Sequence, residues 1–430
     1  MFFVSTRNHS LKATFREAVF QGLAPDGGLY YPKETRNLSQ VFESFPSDVS
    51  FLDVATKTST VLLEEEFSET EIIEICKRAF SFSPSLSTIE PDITILELFH
   101  GPSCAFKDFG ASFLAVVMEK LISDRGGRAI VLTATSGDTG SAVAEAFSGT
   151  KGIDVVILYP SGRVSPLQEK QLTTVGGNVH ALEVKGSFDD CQRMVKEAFL
   201  DPNLNESLPL TSANSINLGR LIPQAYYYIW AWTRLRSKPQ LSFCVPSGNF
   251  GNMTAGVLAW QWGLEVSQFI AATNTNDVVP EYLRTSVFSP RASIHTYSNA
   301  MDVGNPSNFE RLVSLFHGNW KEMQKMLTGE IVTDSETLEG IRGMWERGGR
   351  AIDPHTAVGY LASRRHLGEG SHIVTLATAH PAKFSEIVEK ATGVSPVLPE
   401  QLADALSKTK KSTIIEPKVE SLAEYLRKNL

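Results

Sequence analysis

Cysteine is scarce in this chain of 430 residues: Cys76, Cys104, Cys191 and Cys244 are scattered, with no Cys-x-x-Cys pair. That excludes a cysteine-rich zinc module, a dithiol redox motif and a disulfide framework. The nine histidines never fall in a His-Glu-x-x-His spacing, so no metalloprotease-type centre is indicated. An excess of positive charge is also missing. The net charge is −8, which speaks against nucleic acid or an anionic membrane as partner. Long apolar runs are absent: the stretch from Phe113 to Met118 is far too short to span a bilayer. The N-terminus lacks a basic start followed by an apolar core, so a signal peptide is not expected. No Gly-x-x-x-x-Gly-Lys-Ser/Thr occurs, which argues against a P-loop nucleotidase. What is left is a cytoplasmic, enzyme-sized chain whose 42% apolar residues are ample for large cores.

Within that frame one segment stands out, Leu98-Phe99-His100-Gly101-Pro102-Ser103-Cys104-Ala105-Phe106-Lys107-Asp108-Phe109-Gly110. A lysine in an apolar stretch punctuated by Gly and Pro is costly, because a buried ammonium must be paired or must react. A Schiff base to an aldehyde cofactor is one chemistry that uses such a lysine. The alternative is a surface lysine paired with Asp108. A second segment, Val245-Pro246-Ser247-Gly248-Asn249-Phe250-Gly251-Asn252, joins the apolar run Leu241–Val245 to a helix expected from Met253. A glycine-rich turn from strand to helix N-terminus converges backbone N–H groups on one point and suits a phosphate. Taken alone it is also an ordinary strand-to-helix turn.

Along the chain, residues 1–92 show short helical patterns and no strand–helix alternation. Ser68-Glu69-Thr70-Glu71 is a capping box, and Ile72, Cys76, Ala79 and Phe80 mark one face of the helix that follows. The Ser- and Pro-rich stretch 81–91 reads as a linker. From Arg128 strands alternate with helices: 129–133, 155–159 and 179–184 are strands, 141–147 is a helix, and two further strands start at Leu241 and Gln268. Cys191, Met194, Val195, Ala198 and Phe199 share one helix face and are core residues. The aromatic run Tyr226–Trp232 belongs to a buried helical stretch between Ile216 and Arg236, and Lys408–Lys411 reads as a solvated turn. The pattern predicts an α/β fold: two open, mostly parallel sheet domains with an N-terminal mainly helical domain. The expected division is 1–92 (helical), 93–127 (the Lys107 segment, part of the larger domain), 128–240 (smaller α/β domain) and 241–430 (the rest of the larger domain with a C-terminal extension).

The two segments above resemble those of pyridoxal-phosphate enzymes of the tryptophan-synthase-β type, fold type II. More narrowly the chain resembles the long bacterial and fungal threonine synthases. The resemblance runs through Val4-Ser5-Thr6-Arg7, Gly22–Tyr30, Ala134–Ala142, Ser212–Asn217, Ala300–Arg311, Asp353–Gly359 and Thr378–Phe384, in family order. It implies pyridoxal 5'-phosphate held between the two sheet domains and conversion of O-phospho-L-homoserine and water to L-threonine and phosphate. It assigns Lys107 as the catalytic and cofactor-bearing residue. It assigns Gly248, Asn249, Phe250, Gly251 and Asn252 to the cofactor phosphate and Thr378 to the pyridine nitrogen. Thr378 also fits as a small residue ending the strand 373–377. The loop Ser136, Gly137, Asp138 and Thr139 is implied for the substrate carboxylate or the ring edge. Asp138 stands where many relatives carry Asn, and a carboxylate facing the ring oxygen would be repelled unless one group is protonated. Asn214, Ser215 and Arg220 are implied for the substrate phosphate, Arg220 being alternatively a charge on a helix surface. The resemblance implies a small-molecule substrate, no metal, no nucleic acid or membrane partner, and a monomer or homodimer. Another lyase of this fold, such as a serine/threonine dehydratase, and a silent relative that only binds cofactor or a phosphorylated ligand are the rival readings.

Overall fold

The computed structural model describes residues 1–135 and 137–430, the side chain of Asn205 excepted. Near the N-terminus β1 (Phe3–Ser5), β2 (Lys12–Ala13) and β3 (Tyr30–Pro32) form a small antiparallel sheet in the order β2-β1-β3. The chain then lays down β4 (Ser85–Glu90) and β5 (Ile93–Glu97) in a larger sheet. It crosses to a third sheet with β6 (Ala129–Ala134), β7 (Ile153–Pro160), β8 (Val179–Val184) and β9 (Leu210–Thr211). It returns to the larger sheet with β10 (Leu241–Pro246), β11 (Gln268–Thr273), β12 (Leu327–Ile331) and β13 (His372–Ala377), and ends with β14 (Thr413–Ile415).

The larger sheet has the order β12-β11-β10-β13-β5-β4, parallel except for the antiparallel edge pair of β4 and β5. The other, β14-β8-β7-β6-β9, is parallel throughout. Two open α/β sheets are therefore present, as the alternation of apolar strands and amphipathic helices predicts. Their inner strands are buried on both faces: β6, β10 and β13 carry no exposed residue. Such strands read as unbroken apolar runs in the sequence.

The structure corrects four readings. Residues 1–92 are not wholly helical, because the first thirty-odd residues pair into a sheet whose strands of two or three residues are too short to show a period. The supposed linker carries β4, an edge strand of intermediate burial in which Thr88 alone is exposed. The C-terminal segment leaves the larger sheet: β14 pairs with β8 from Thr413↔Leu182 to Ile415↔Val184, and Leu422, Ala423 and Leu426 pack with Cys191, Met194 and Val195. That contact draws Lys410 onto Glu169 Oε1 (2.6 Å) and Glu183 Oε2 (2.7 Å), so the Lys408–Lys411 run is anchored rather than merely solvated.

Other expectations hold locally. Ser68 and Glu71 close a capping box at the helix Glu69–Ala79. The helical stretch expected between Ile216 and Arg236 is broken at Pro223 into the helices Leu218–Leu221 and Gln224–Leu235; the aromatic run lies wholly in the second, with Tyr226, Tyr227 and Tyr228 fully buried. No described helix is long and apolar enough to cross a membrane.

Candidate active site

In the larger sheet β10, β13 and β5 are neighbours and all parallel, so their C-terminal ends open side by side. Ligands in open α/β sheets bind at such ends. Each of these strands is followed by a segment singled out from the sequence. After β5 comes the loop that leads into the helix Lys107–Arg125; after β13 comes Thr378; after β10 comes the turn Ser247–Phe250 and the helix Gly251–Gln261. Thr378 is stitched to the lysine segment, since its carbonyl accepts from the Phe106 N–H at 2.9 Å. The third sheet presents the loop after β6, which opens the helix Asp138–Phe147. Ser136 of that loop lies outside the described residues.

The turn after β10 is built to leave N–H groups free. Phe250 takes a left-handed conformation (φ 59°) as N-cap, and the helix begins at Gly251. The N–H groups of a first helical turn have no acceptor within the helix. Gly248 cannot bear a side chain: a Cβ there would come 2.6 Å from Met301 Cα and 2.8 Å from the Ala300 carbonyl. The side chains of the two asparagines are tied to the chain itself. The Asn249 amide donates to Ser215 Oγ (2.7 Å) and accepts from the Ser307 N–H (2.5 Å). The Asn252 amide donates to the Pro246 carbonyl (2.9 Å) and accepts from Ser247 Oγ and the Met253 N–H. Both side chains brace the turn and leave its backbone N–H groups facing outward from these bonds. Tyr228 supports it from below, its hydroxyl donating to the Asn252 carbonyl at 2.8 Å.

Lys107 opens its helix with a side chain only 17% exposed. Burial pushes its ammonium down to about 8; Asp138 opposes this, and Lys383 and Arg220 add to it. Its nearest carboxylate is Asp138, whose Oδ2 is 3.9 Å from Nζ, and not Asp108. Asp108 turns away and accepts from the Ser103 N–H at 3.0 Å, fixing the loop; burial pushes it up to about 6. Asp138 is 4% exposed. Although burial opposes ionisation, Lys383, Lys107 and the Gln168 amide hold its carboxyl well below the usual range. Lys383 Nζ is 2.9 Å from Asp138 Oδ1, and Gln168 Nε2 donates to the same oxygen at 2.9 Å. The sequence reading assigned no role to Lys383 or Gln168. Lys383 lies in the Thr378–Phe384 motif, where a lysine after a buried strand was the available signal.

Arg220 is 1% exposed and so is not a surface charge. Nη1 donates to the Ala213 carbonyl at 2.9 Å, whereas Nε, also buried, has no partner. Burial lowers its guanidinium to about 10, so it stays charged near neutrality. Its backbone abuts the lysine helix, a close approach that requires Gly110, where a Cβ would be 2.5 Å from the Arg220 carbonyl oxygen. Asn214 accepts from Thr133 Oγ1 on β6, and Ser215 Oγ accepts from Asn249 and, at 3.3 Å, from Asn308. Asn214, Ser215 and Arg220 thus form a bridge from the third sheet to the cradle. Gly137 is buried, and Thr139 is half-buried in the first turn of its helix.

These groups suit a phosphorylated aldehyde: a sheltered amine of lowered basicity, free N–H groups at a helix N-terminus, and a buried guanidinium with an orphan donor. The comparisons with known proteins agree. The family described as "Pyridoxal-phosphate dependent enzyme" matches residues 83–379, "Threonine synthase N terminus" matches 2–80 and "Threonine synthase, C-terminal" matches 356–426. Threonine synthase of Serratia marcescens is 42% identical over 399 residues, 92% of each chain. The crystal structure of the Escherichia coli threonine synthase superposes with a TM-score of 0.93 at 40% identity, covering 100% of both chains. The pyridoxal-phosphate-bound threonine synthase of Brucella melitensis gives 0.94 at 36% identity, covering 99% of each. The chain therefore belongs to the threonine synthase family of pyridoxal-phosphate-dependent enzymes.

Proposed function

We propose that this chain converts O-phospho-L-homoserine and water to L-threonine and phosphate, with Lys107 as the residue that carries the cofactor and moves the protons. The observation that carries the reading is a sheltered lysine amine of lowered basicity at the C-terminal ends of parallel strands, near a buried guanidinium with an unused donor. Pyridoxal 5'-phosphate, when bound, supplies an electron sink that stabilises negative charge on the carbons beside the substrate nitrogen.

The chain's own residues do the rest. The N–H groups at Gly248–Asn252 would hold the cofactor phosphate, and the Thr378 hydroxyl would meet the pyridine nitrogen. A hydroxyl partner does not force that nitrogen to be protonated, unlike a carboxylate. Lys107 would bind the aldehyde covalently until the substrate amine replaces it. The freed amine would then take protons from Cα and Cβ, a task suited to a base that is partly neutral near pH 8. Arg220, with Asn214 and Ser215, would grip the substrate phosphate and stabilise it as it leaves Cγ. Ser136, Gly137, Asp138 and Thr139 would border the substrate carboxylate and the ring edge. The same reading places the enzyme in the cytoplasm as a monomer or homodimer.

Lys107→Ala tests this directly. The variant should keep the circular dichroism of the wild type, lose the visible absorption of bound cofactor, and release no phosphate from phosphohomoserine. Phosphate release near the wild-type rate would rule the assignment out.

A further inference from the structure

Asp138 and Lys383 reach each other from different sheets. Asp138 begins the helix after β6, whereas Lys383 lies in the short helical turn Pro381–Phe384 after β13. Their side chains are 4% and 0% exposed, with Nζ 2.9 Å from Oδ1. Lys383 also donates to the Ser103 carbonyl at 2.7 Å, on the loop that leads to Lys107. Lys107 meets only the other carboxylate oxygen, Oδ2, at 3.9 Å, beyond hydrogen-bonding distance. One buried carboxylate is thus shared unequally between two lysines. The contact is tight on the lysine that has no place in the chemistry and loose on the one that does.

The physics makes this inequality consequential. A buried aspartate whose only cation was Lys107 would close on it and hold it as an ammonium. We infer that Lys383 is a positioning residue for the reaction: by occupying Oδ1 of Asp138 it keeps the carboxylate off Lys107 and leaves the Lys107 amine free to give up its proton. The inference rests on the reading of Lys107 as the cofactor-bearing lysine. The charged groups that act on Lys107 are Asp138, Lys383 and Arg220. Those that feel Lys383 are Asp138, Asp108, Glu145, His380 and the Cys104 thiol. Among the described residues, Asp138 alone forms an ion pair with both lysines. The arrangement also answers how a carboxylate can stand at the ring edge: its charge is balanced by a lysine from the opposite sheet.

The test is a charge cycle read without turnover. In the holoenzyme the pH midpoint of the cofactor's visible absorption reports the proton on the Lys107 nitrogen. A nearby negative charge raises that midpoint and a positive charge lowers it. Lys383→Gln should raise it by about one pH unit or more, because Asp138 then turns to Lys107. Asp138→Asn should lower it, because Lys383 and Arg220 remain unopposed. The double variant should return to within about half a unit of wild type, since the two charges leave together. Reductive methylation of Lys107 in the full-length chain stripped of cofactor, followed by mass spectrometry across pH, should give the same order.

An unmoved or lowered midpoint in folded Lys383→Gln would overturn the inference. Should that variant fail to fold, the nearly isosteric Lys383→Met takes its place: the same rise is expected, and an unmoved or lowered midpoint there overturns the inference in the same way. Borohydride reduction of the holoenzyme separates the two levels. Cofactor fixed on any lysine other than Lys107 overturns both the functional reading and the inference. Cofactor fixed on Lys107 with the predicted order absent overturns the inference alone.

Discussion

Arg220 and Arg311 are both buried guanidinium groups, and among the described residues neither has a carboxylate within ion-pair distance. They are nonetheless satisfied in opposite ways. Arg311 donates through Nε to the Tyr30 carbonyl (2.8 Å), through Nη1 to Asn308 Oδ1 (2.6 Å) and through Nη2 to the Ile216 carbonyl (2.6 Å). It clamps the N-terminal sheet, the segment before Arg220 and the loop beside the cradle. Among the described residues, the Arg220 side chain makes one hydrogen bond, to the Ala213 carbonyl, and leaves Nε without a partner. Buried charges are tolerated when their donors are met. Arg311 meets that condition with its own chain and is a structural tie. Arg220 does not, since its buried Nε has no acceptor among the described residues, and the proposed role in gripping a phosphate rests on that difference.

The difference can be broken most strongly through stability. Arg311→Met would leave two carbonyls and an amide oxygen without donors, each costing about 1–3 kcal/mol, for a total loss of roughly 3–9 kcal/mol. Arg220→Met removes an under-satisfied charge and should change stability by no more than about 1 kcal/mol. Urea titration of both variants checks the contrast, and equal losses would erase it.

Catalysis should show the reverse ranking. Arg220→Ala should lower kcat/KM for phosphohomoserine by about ten- to a hundredfold, the worth of a charge-assisted contact to phosphate at roughly 1.5–3 kcal/mol. Cofactor retention should be spared, and any turnover of unphosphorylated serine should fall less. Steady-state kinetics on both substrates decide this. A smaller effect sharpens the same point. Inorganic phosphate at about ten times its dissociation constant should stabilise the wild type by about 1.4 kcal/mol and leave Arg220→Met unmoved.

A last comparison concerns pH. The Lys107 ammonium titrates at about 8 in the folded chain against an ordinary 10.5. Between those values the unfolded chain binds more protons, so stability rises with pH across the window and the gain is lost as pH falls through about 8. Wild type should therefore gain on Lys107→Met as pH rises from 8 toward 10.5, and a flat difference would mean that Lys107 titrates normally.

Much of this was legible in the chain itself. The strand–turn–helix around Gly248–Asn252 follows from an apolar run, a glycine-rich break and a helical pattern, all within a dozen residues. Lys107 stood out because an ammonium is out of place in its apolar, Gly/Pro-marked segment. The capping box at Ser68 and Glu71 is likewise a local hydrogen-bond pattern. Elements too short to carry a period, such as β1 and β2, left no trace. Neither did β14, whose place beside β8 is a pairing across more than two hundred residues.

By itself, the sequence determined the α/β alternation, the strand–turn–helix around Gly248–Asn252 and the apolar, Gly/Pro-marked setting of Lys107. These rest on forces that act between near neighbours along the chain: backbone conformation, helix and strand periodicity, and the cost of burying charge. Only the tertiary structure decided that Asp138 is balanced by Lys383 and that Arg311 is spent on its own chain while Arg220 is held open. It also decided that the side chains of Asn249 and Asn252 are spent on bonds within the chain that brace the turn. The physical reason is that a buried charge or amide is defined by what faces it. In this chain those partners come from other strands and loops, which folding alone brings together.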